Sequence, residues 1–248
     1  MIVLFTDFGL NGPYLGQVEN VLYREAPETP VINLIANAPA HNAKAGAYLL
    51  AAYMEEFSEG SVFFAVVDPG VGGDRVPGVL EADGRWFIGP GNGLFELIIR
   101  RAKNEPQWWE IRWRPERLSA TFHGRDLFAP IAGRIALGES LSGNEDFSEA
   151  PLDGIRRPDW PDDLAEVIYI DDFGNAVTGI RASTIPGYVK LSISGETISK
   201  ADTFSDVSPG EVFWYENANG LLEVSVNQGK ASEKLKLNVG SQVSLREM

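Results

Sequence analysis

The sequence predicts an α/β N-terminal domain with a largely parallel sheet, followed by a small all-β, barrel-like C-terminal domain. Three observations lead there. Apolar runs alternate with helix-periodic segments as far as residue 137, the pattern of strands joined by crossover helices. Residues 139–163 then lose periodicity and become rich in Gly, Pro, Ser and acid. Beyond them only short strand patterns separated by turn residues remain, as in small barrels and sandwiches.

The first strand is read at 2–6, ending in Thr6-Asp7-Phe8-Gly9. A helix follows over 14–25, with Leu15, Val18, Val21 and Leu22 on one face. The second strand spans 31–35. An alanine-rich helix covers 42–57, with Asn42 as its N-cap. Residues 62–67, Val-Phe-Phe-Ala-Val-Val, form an unbroken apolar strand suited to burial on both faces. Residues 79–82 and 86–88 form a hairpin about Asp83-Gly84. Gly89-Pro90-Gly91-Asn92-Gly93 opens a helix at 94–102; a strand at 107–112 and a helix at 124–137 complete the first domain. The second contains strands at 165–171, 176–181, 188–193, 211–215 and 221–226. The expected division is 1–150, a linker at 151–163, and 164–248.

Composition narrows the function classes. A net charge of −14 argues against a nucleic-acid partner. No apolar run is long enough for a membrane span, and the start, Met-Ile-Val-Leu-Phe-Thr-Asp, lacks a basic leader. With no cysteine and only His41 and His123, thiolate chemistry and multi-histidine metal sites drop out. The expectation is a cytoplasmic protein without a metal.

In parallel sheets, ligands bind outside the carboxyl ends of the strands. Four groups fall there: Asp7 after the first strand, Asp68 and Arg75 after the third, Asn92 in the glycine-rich loop, and His123 at the start of a helix. Each also has a plain structural reading. Asp7 and Asp68 would serve as turn aspartates, and His123 as a partly buried histidine. Near a helix N-terminus an imidazole stays neutral. His41, in a Pro-Ala-His-Asn loop, is read as solvated.

Six segments, taken in order, resemble one family. They are Thr6-Asp7-Phe8-Gly9, Val66-Val67-Asp68-Pro69-Gly70-Val71-Gly72, Gly89-Pro90-Gly91-Asn92-Gly93-Leu94, Thr121-Phe122-His123-Gly124-Arg125-Asp126, Asp172-Phe173-Gly174-Asn175 and Val226-Asn227-Gln228-Gly229. Together they are similar to the S-adenosylmethionine hydroxide adenosyltransferases, the hydrolases related to fluorinase and chlorinase. The resemblance implies a homotrimer that binds a small-molecule substrate between subunits. It implies Asp68, Arg75 and His123 as the catalytic set and Asp7 on the ribose. It further implies Asn92, Asp171 and Asn175 as substrate contacts, and no cofactor beyond S-adenosylmethionine as substrate.

The sequence departs from the family pattern at three places. Gly12 stands where many relatives carry an acid. Asn33-Leu34-Ile35-Ala36 replaces Asp-Ile-Thr-His, and Ala218-Asn219 replaces the halogenases' Ser-Arg.

The implied reaction is attack of water at the 5′ carbon, giving adenosine and methionine. The sulfonium leaves as a neutral thioether and needs no acid. Arg75 stays protonated, so Asp68 or His123 takes the proton. The alternatives are a halogenase, a non-catalytic binder of S-adenosylmethionine or adenosine, and a carboxylate-metal hydrolase.

Overall fold

The computed structural model describes residues 1–186 and 188–246. The chain divides into two compact units, Met1–Pro158 and Asp159–Met248.

In the first unit the strands are β1 (Ile2–Thr6), β2 (Val31–Ile35), β3 (Val62–Val66), β4 (Pro77–Ala82), β5 (Arg85–Pro90), β6 (Gln107–Ile111) and β7 (Phe147–Glu149). They form one sheet in the order β2-β1-β3-β5-β4-β6-β7. β1 pairs in parallel with β2 and β3, and β3 with β5; the β5-β4, β4-β6 and β6-β7 pairings are antiparallel. Five of the seven strands (β2, β1, β3, β5 and β6) therefore run in one direction. β1 and β3 are buried along their whole length, as their unbroken apolar runs require.

Helices α1 (Tyr14–Glu25) and α4 (Ala129–Ala136) cover the face that carries Ile2, Leu4, Val62 and Phe64. Alternate strand residues point the other way. There Phe63 stacks on Phe87 at 4.9 Å between ring centroids. Gly46 of α2 (Ala43–Tyr53) comes close to Phe5, Val67 and Leu94, ahead of α3 (Glu96–Arg101).

Local chemistry explains the element boundaries. Asn42 caps α2 by accepting from the Ala45 N–H at 3.0 Å, and the helix tightens into a 3-10 turn at Met54–Glu56. The hairpin turn holds Asp83 and Gly84 at φ +46° and +73°, the two left-handed residues of a two-residue loop. The helix expected over 124–137 opens with a π turn at Gly124–Phe128, where the Ala129 N–H reaches back to the Gly124 carbonyl. Pro130 has no N–H to offer the carbonyl four residues earlier, and the wider turn absorbs that loss.

Part of the segment read as non-periodic is built into the first unit. β7 extends the sheet beside β6. Three residues flanked by Gly, Ser and acid were too short to show a period. Ile155 is buried. The fully buried Glu96 accepts from Arg100, Arg156 and the Arg157 N–H at 2.6–3.2 Å, and its pKa is lowered: burial alone would raise it, and these donors outweigh that. Residues 156–157 thus remain part of the first unit.

The second unit holds β8 (Leu164–Ile170), β9 (Ala176–Arg181), β10 (Lys190–Ile193), β11 (Glu196–Ile198), β12 (Val212–Glu216), β13 (Leu221–Val226), the short helix α5 (Ala231–Lys234) and β14 (Val243–Arg246). These strands make two antiparallel sheets, β12-β13-β9-β8 and β11-β10-β14. Both sheets enclose one core that includes Trp214, Leu222, Val224, Leu191 and Val243. Isolated bridges link them at Glu166–Gln242 and Lys200–Trp214. Among the described residues no helix is long and apolar enough to cross a membrane.

Candidate active site

β1 connects through α1 to β2 on one side, and the chain returns through α2 to β3 on the other side of β1. The strand order therefore reverses between β1 and β3. A crevice opens at such a reversal, at the carboxyl ends of the strands. Asp7 and Asp68 follow those two ends.

Asp68 and Arg75 flank one glycine-rich loop. Arg75 folds back so that its Nε and Nη2 donate to Asp68 Oδ2 at 2.9 and 2.6 Å. Both side chains are at least nine-tenths buried. The Arg75 guanidinium lies over the Phe128 ring, 5.3 Å from its centroid. The loop passes close to the segment bearing His123: a Cβ on Gly72 would sit 2.5 Å from the Ala120 carbonyl oxygen, and Gly72 has φ +79°. Only glycine accommodates that approach without strain.

Arg75 Nη2 also lies 2.8 Å from His123 Nδ1. A guanidinium only donates, so Nδ1 accepts and the neutral ring carries its proton on Nε2. Burial lowers the His123 pKa, the Arg75 charge lowers it further, and Asp68 opposes both. The result is a neutral imidazole. Asp68 Oδ1 is left buried without a hydrogen-bond partner, an acceptor that no group of the chain satisfies. Leaving such a group unsatisfied costs about 1–3 kcal/mol.

Asp68 lines a cleft of about 530 Å³ together with Asp7, Phe8, His41, Thr121 and Phe122. Phe122 meets Phe8 and Tyr14 edge-on at 5.7 and 5.3 Å, giving the cleft an aromatic wall. Burial raises the Asp7 pKa, although the His41 backbone N–H donates to Oδ2 at 3.0 Å and works against that rise. A larger groove of about 790 Å³ adjoins this cleft through Gln17 and Arg125. Its Arg125 is paired with Asp126, and its Arg134 with Glu139 and Asp146.

The remaining expected residues have hydrogen-bond partners of their own. Asn92 donates to the Val67 carbonyl at 2.9 Å and accepts from the Leu94 N–H at 3.2 Å. It ties the loop after β5 to the end of β3. Asp171 and Asn175 belong to the second unit and bond to each other: Asn175 N and Nδ2 donate to the two carboxylate oxygens at 2.8 and 2.9 Å. His41, read from the sequence as solvated, is exposed as expected and also lines the cleft, which the sequence reading did not foresee. Among the described residues no cluster of three or more His, Cys, Asp or Glu is arranged to hold a metal.

Comparison with known proteins decides the family. Residues 2–144 match the SAM hydroxide adenosyltransferase N-terminal domain, and residues 165–244 match the C-terminal domain. The chain belongs to the SAM hydroxide adenosyltransferase family. Other members include an (R)-S-adenosyl-L-methionine hydrolase from Thermus thermophilus, 36% identical with 98% of both chains covered. Another of that name, from Salinispora arenicola, is 34% identical over 96% of this chain and 94% of the relative. Among solved structures, a conserved protein from Thermotoga maritima superposes with a TM-score of 0.84 at 27% identity, with 99% of both chains covered. A conserved hypothetical protein from Thermus thermophilus gives 0.78 at 34%, again with 99% of both chains covered.

Proposed function

We propose that this adenosyltransferase-family chain hydrolyses S-adenosyl-L-methionine to adenosine and L-methionine. One observation carries the reading: Asp68 lines the switch-point cleft with one oxygen held by Arg75 and the other buried and unpartnered. That free oxygen suits a single water. Water has a pKa of about 15.7 and attacks a saturated carbon slowly unless it is held in line and relieved of its proton.

In the proposed step the water oxygen forms a bond to the 5′ carbon. The C5′–S bond breaks, and its electron pair goes to sulfur as the neutral thioether of methionine. The water proton passes to Asp68 Oδ1 and then to solvent, so each turnover releases one proton. His123 is an unsuitable base while Nδ1 accepts from Arg75 and Nε2 carries the proton. Its part is to hold Arg75, which in turn orients Asp68. Such positioning supplies a large share of the rate in single-displacement chemistry.

Asp7 binds the ribose hydroxyls, and Asn92 keeps the neighbouring loop in place. Asp171 and Asn175, rigid through their mutual bonds, contact the adenosine from the second unit. We read that unit as barrel-like, because its two sheets share one core and are bridged at both edges. The proposed assembly is a homotrimer with sites between subunits, and S-adenosylmethionine is substrate with no further cofactor.

The test uses ¹⁸O-labelled water in halide-free buffer, with and without chelator. Mass spectrometry should find the label in the 5′ hydroxyl of adenosine at equal rates in both. Unlabelled adenosine, a halogenated nucleoside when chloride is added, or loss of activity with chelator would each overturn the reading.

A further inference from the structure

We infer that His41 is a substrate-binding residue whose imidazole forms the solvent-facing side of the sugar seat beside Asp7. The inference rests on the activity proposed above and adds a residue to that site. A tight turn over 39–42 is closed by the Asn42 N–H to the Pro39 carbonyl at 3.1 Å. His41 is its third residue, at φ +59°. The left-handed conformation at that place favours glycine or asparagine, so the turn gains nothing from an imidazole. Asp83, Ser194, Gln228 and Lys236 share this left-handed conformation; what sets His41 apart is that it also lines the cleft and bonds Asp7.

The two halves of His41 act on the same cleft. Its backbone N–H orients Asp7 by donating to Oδ2 at 3.0 Å. Its side chain is exposed and lines the cleft that Asp7 and Asp68 share. A ribose bound at Asp7 presents vicinal hydroxyls, which donate to a carboxylate and also accept. An imidazole supplies one donor and one acceptor nitrogen, which suits the hydroxyl that Asp7 does not fully satisfy. The hydrogen-bonded set of Asp68, Arg75 and His123 does not include this ring.

The chain has only two histidines, which makes the test clean. His41→Gly keeps the N–H and relieves the backbone, so only the ring is lost. KM for S-adenosylmethionine should rise about 3- to 10-fold, the scale of one neutral hydrogen bond, with kcat within about 2-fold. In the unmodified protein, adenosine should slow carbethoxylation of His41 by diethylpyrocarbonate, followed by peptide mass spectrometry. An unchanged KM, or undiminished labelling of His41 with adenosine bound by calorimetry, would overturn the inference and leave the hydrolysis reading standing. Failure of the protein both to bind adenosine and to form it from S-adenosylmethionine would overturn both.

Discussion

Arg75 Nη2 stands 2.8 Å from His123 Nδ1 and 2.6 Å from Asp68 Oδ2, so one nitrogen joins side chains 55 residues apart in the chain (123 − 68). The contact defines the histidine tautomer, because a guanidinium has no acceptor. It also leaves a single free acceptor in the cluster, Asp68 Oδ1.

A pH profile should reflect this. The His123 pKa is lowered from 6.5 by burial, then by the Arg75 charge. A depressed pKa contributes stability that is fully present above the unfolded value. That contribution is lost as pH falls from 6.5 through the folded value, because protonated Nδ1 can no longer accept from Arg75. We expect kcat/KM to stay level as pH is lowered through 6.5, with the acid limb below it. An acid limb centred at or above 6.5 would show that His123 titrates freely.

Substitutions separate base from positioning residue. Asp68→Asn still accepts from Arg75 but cannot take a proton. Its kcat should fall about 10²- to 10⁴-fold, the usual scale of general-base catalysis. His123→Ala should cost less, because Asp68 keeps both of its bonds to Arg75. Single-turnover rates on folded variants decide the order. The reverse order would make His123 the proton acceptor.

Gly72 is where the two loops come closest. Gly72→Ala sets a methyl 2.5 Å from the Ala120 carbonyl oxygen at φ +79°. We expect a loss of about 2 kcal/mol in stability, measured by denaturant unfolding. At temperatures where the variant remains folded, kcat should fall as the His123 loop is pushed away from Arg75. Wild-type kcat in a folded variant would show that this spacing is not critical.

Subunit assembly has its own test. If sites form between subunits, Asp68→Ala and Asn175→Ala chains refolded together should regain activity that neither has alone. Some sites in mixed oligomers then carry both intact residues. Verified mixed oligomers without regained activity would place each site within one chain.

Much of the fold was legible because burial leaves a local trace. β1, α1, β2, β9 and β13 have the bounds that the sequence predicts; β1 shows the cause most plainly, since a strand covered on both faces must be apolar throughout. β7, β11 and β14 were missed. Each has only three or four residues, too few to establish a period, and pairing with a neighbour supplies what local pattern lacks. The π turn at Gly124–Phe128 also follows from a local cause, Pro130, but its width depends on the helix continuing beyond it.

The candidate site divides in the same way. Sequence alone determined that Asp7, Asp68 and His123 fall in loops beside strand ends or a helix start, because an abrupt end to an apolar run marks where a strand leaves the core. Tertiary structure decided the rest. The reversal of strand order at β1 sets Asp7 and Asp68 across one crevice. The fold-back of the glycine loop pairs Arg75 with Asp68, and the close pass at Ala120 brings in His123. His41 enters through a left-handed turn whose N–H finds Asp7 34 residues away. Hydrogen bonds between distant residues depend on angstrom-scale geometry that packing sets, and no periodicity in the chain encodes it.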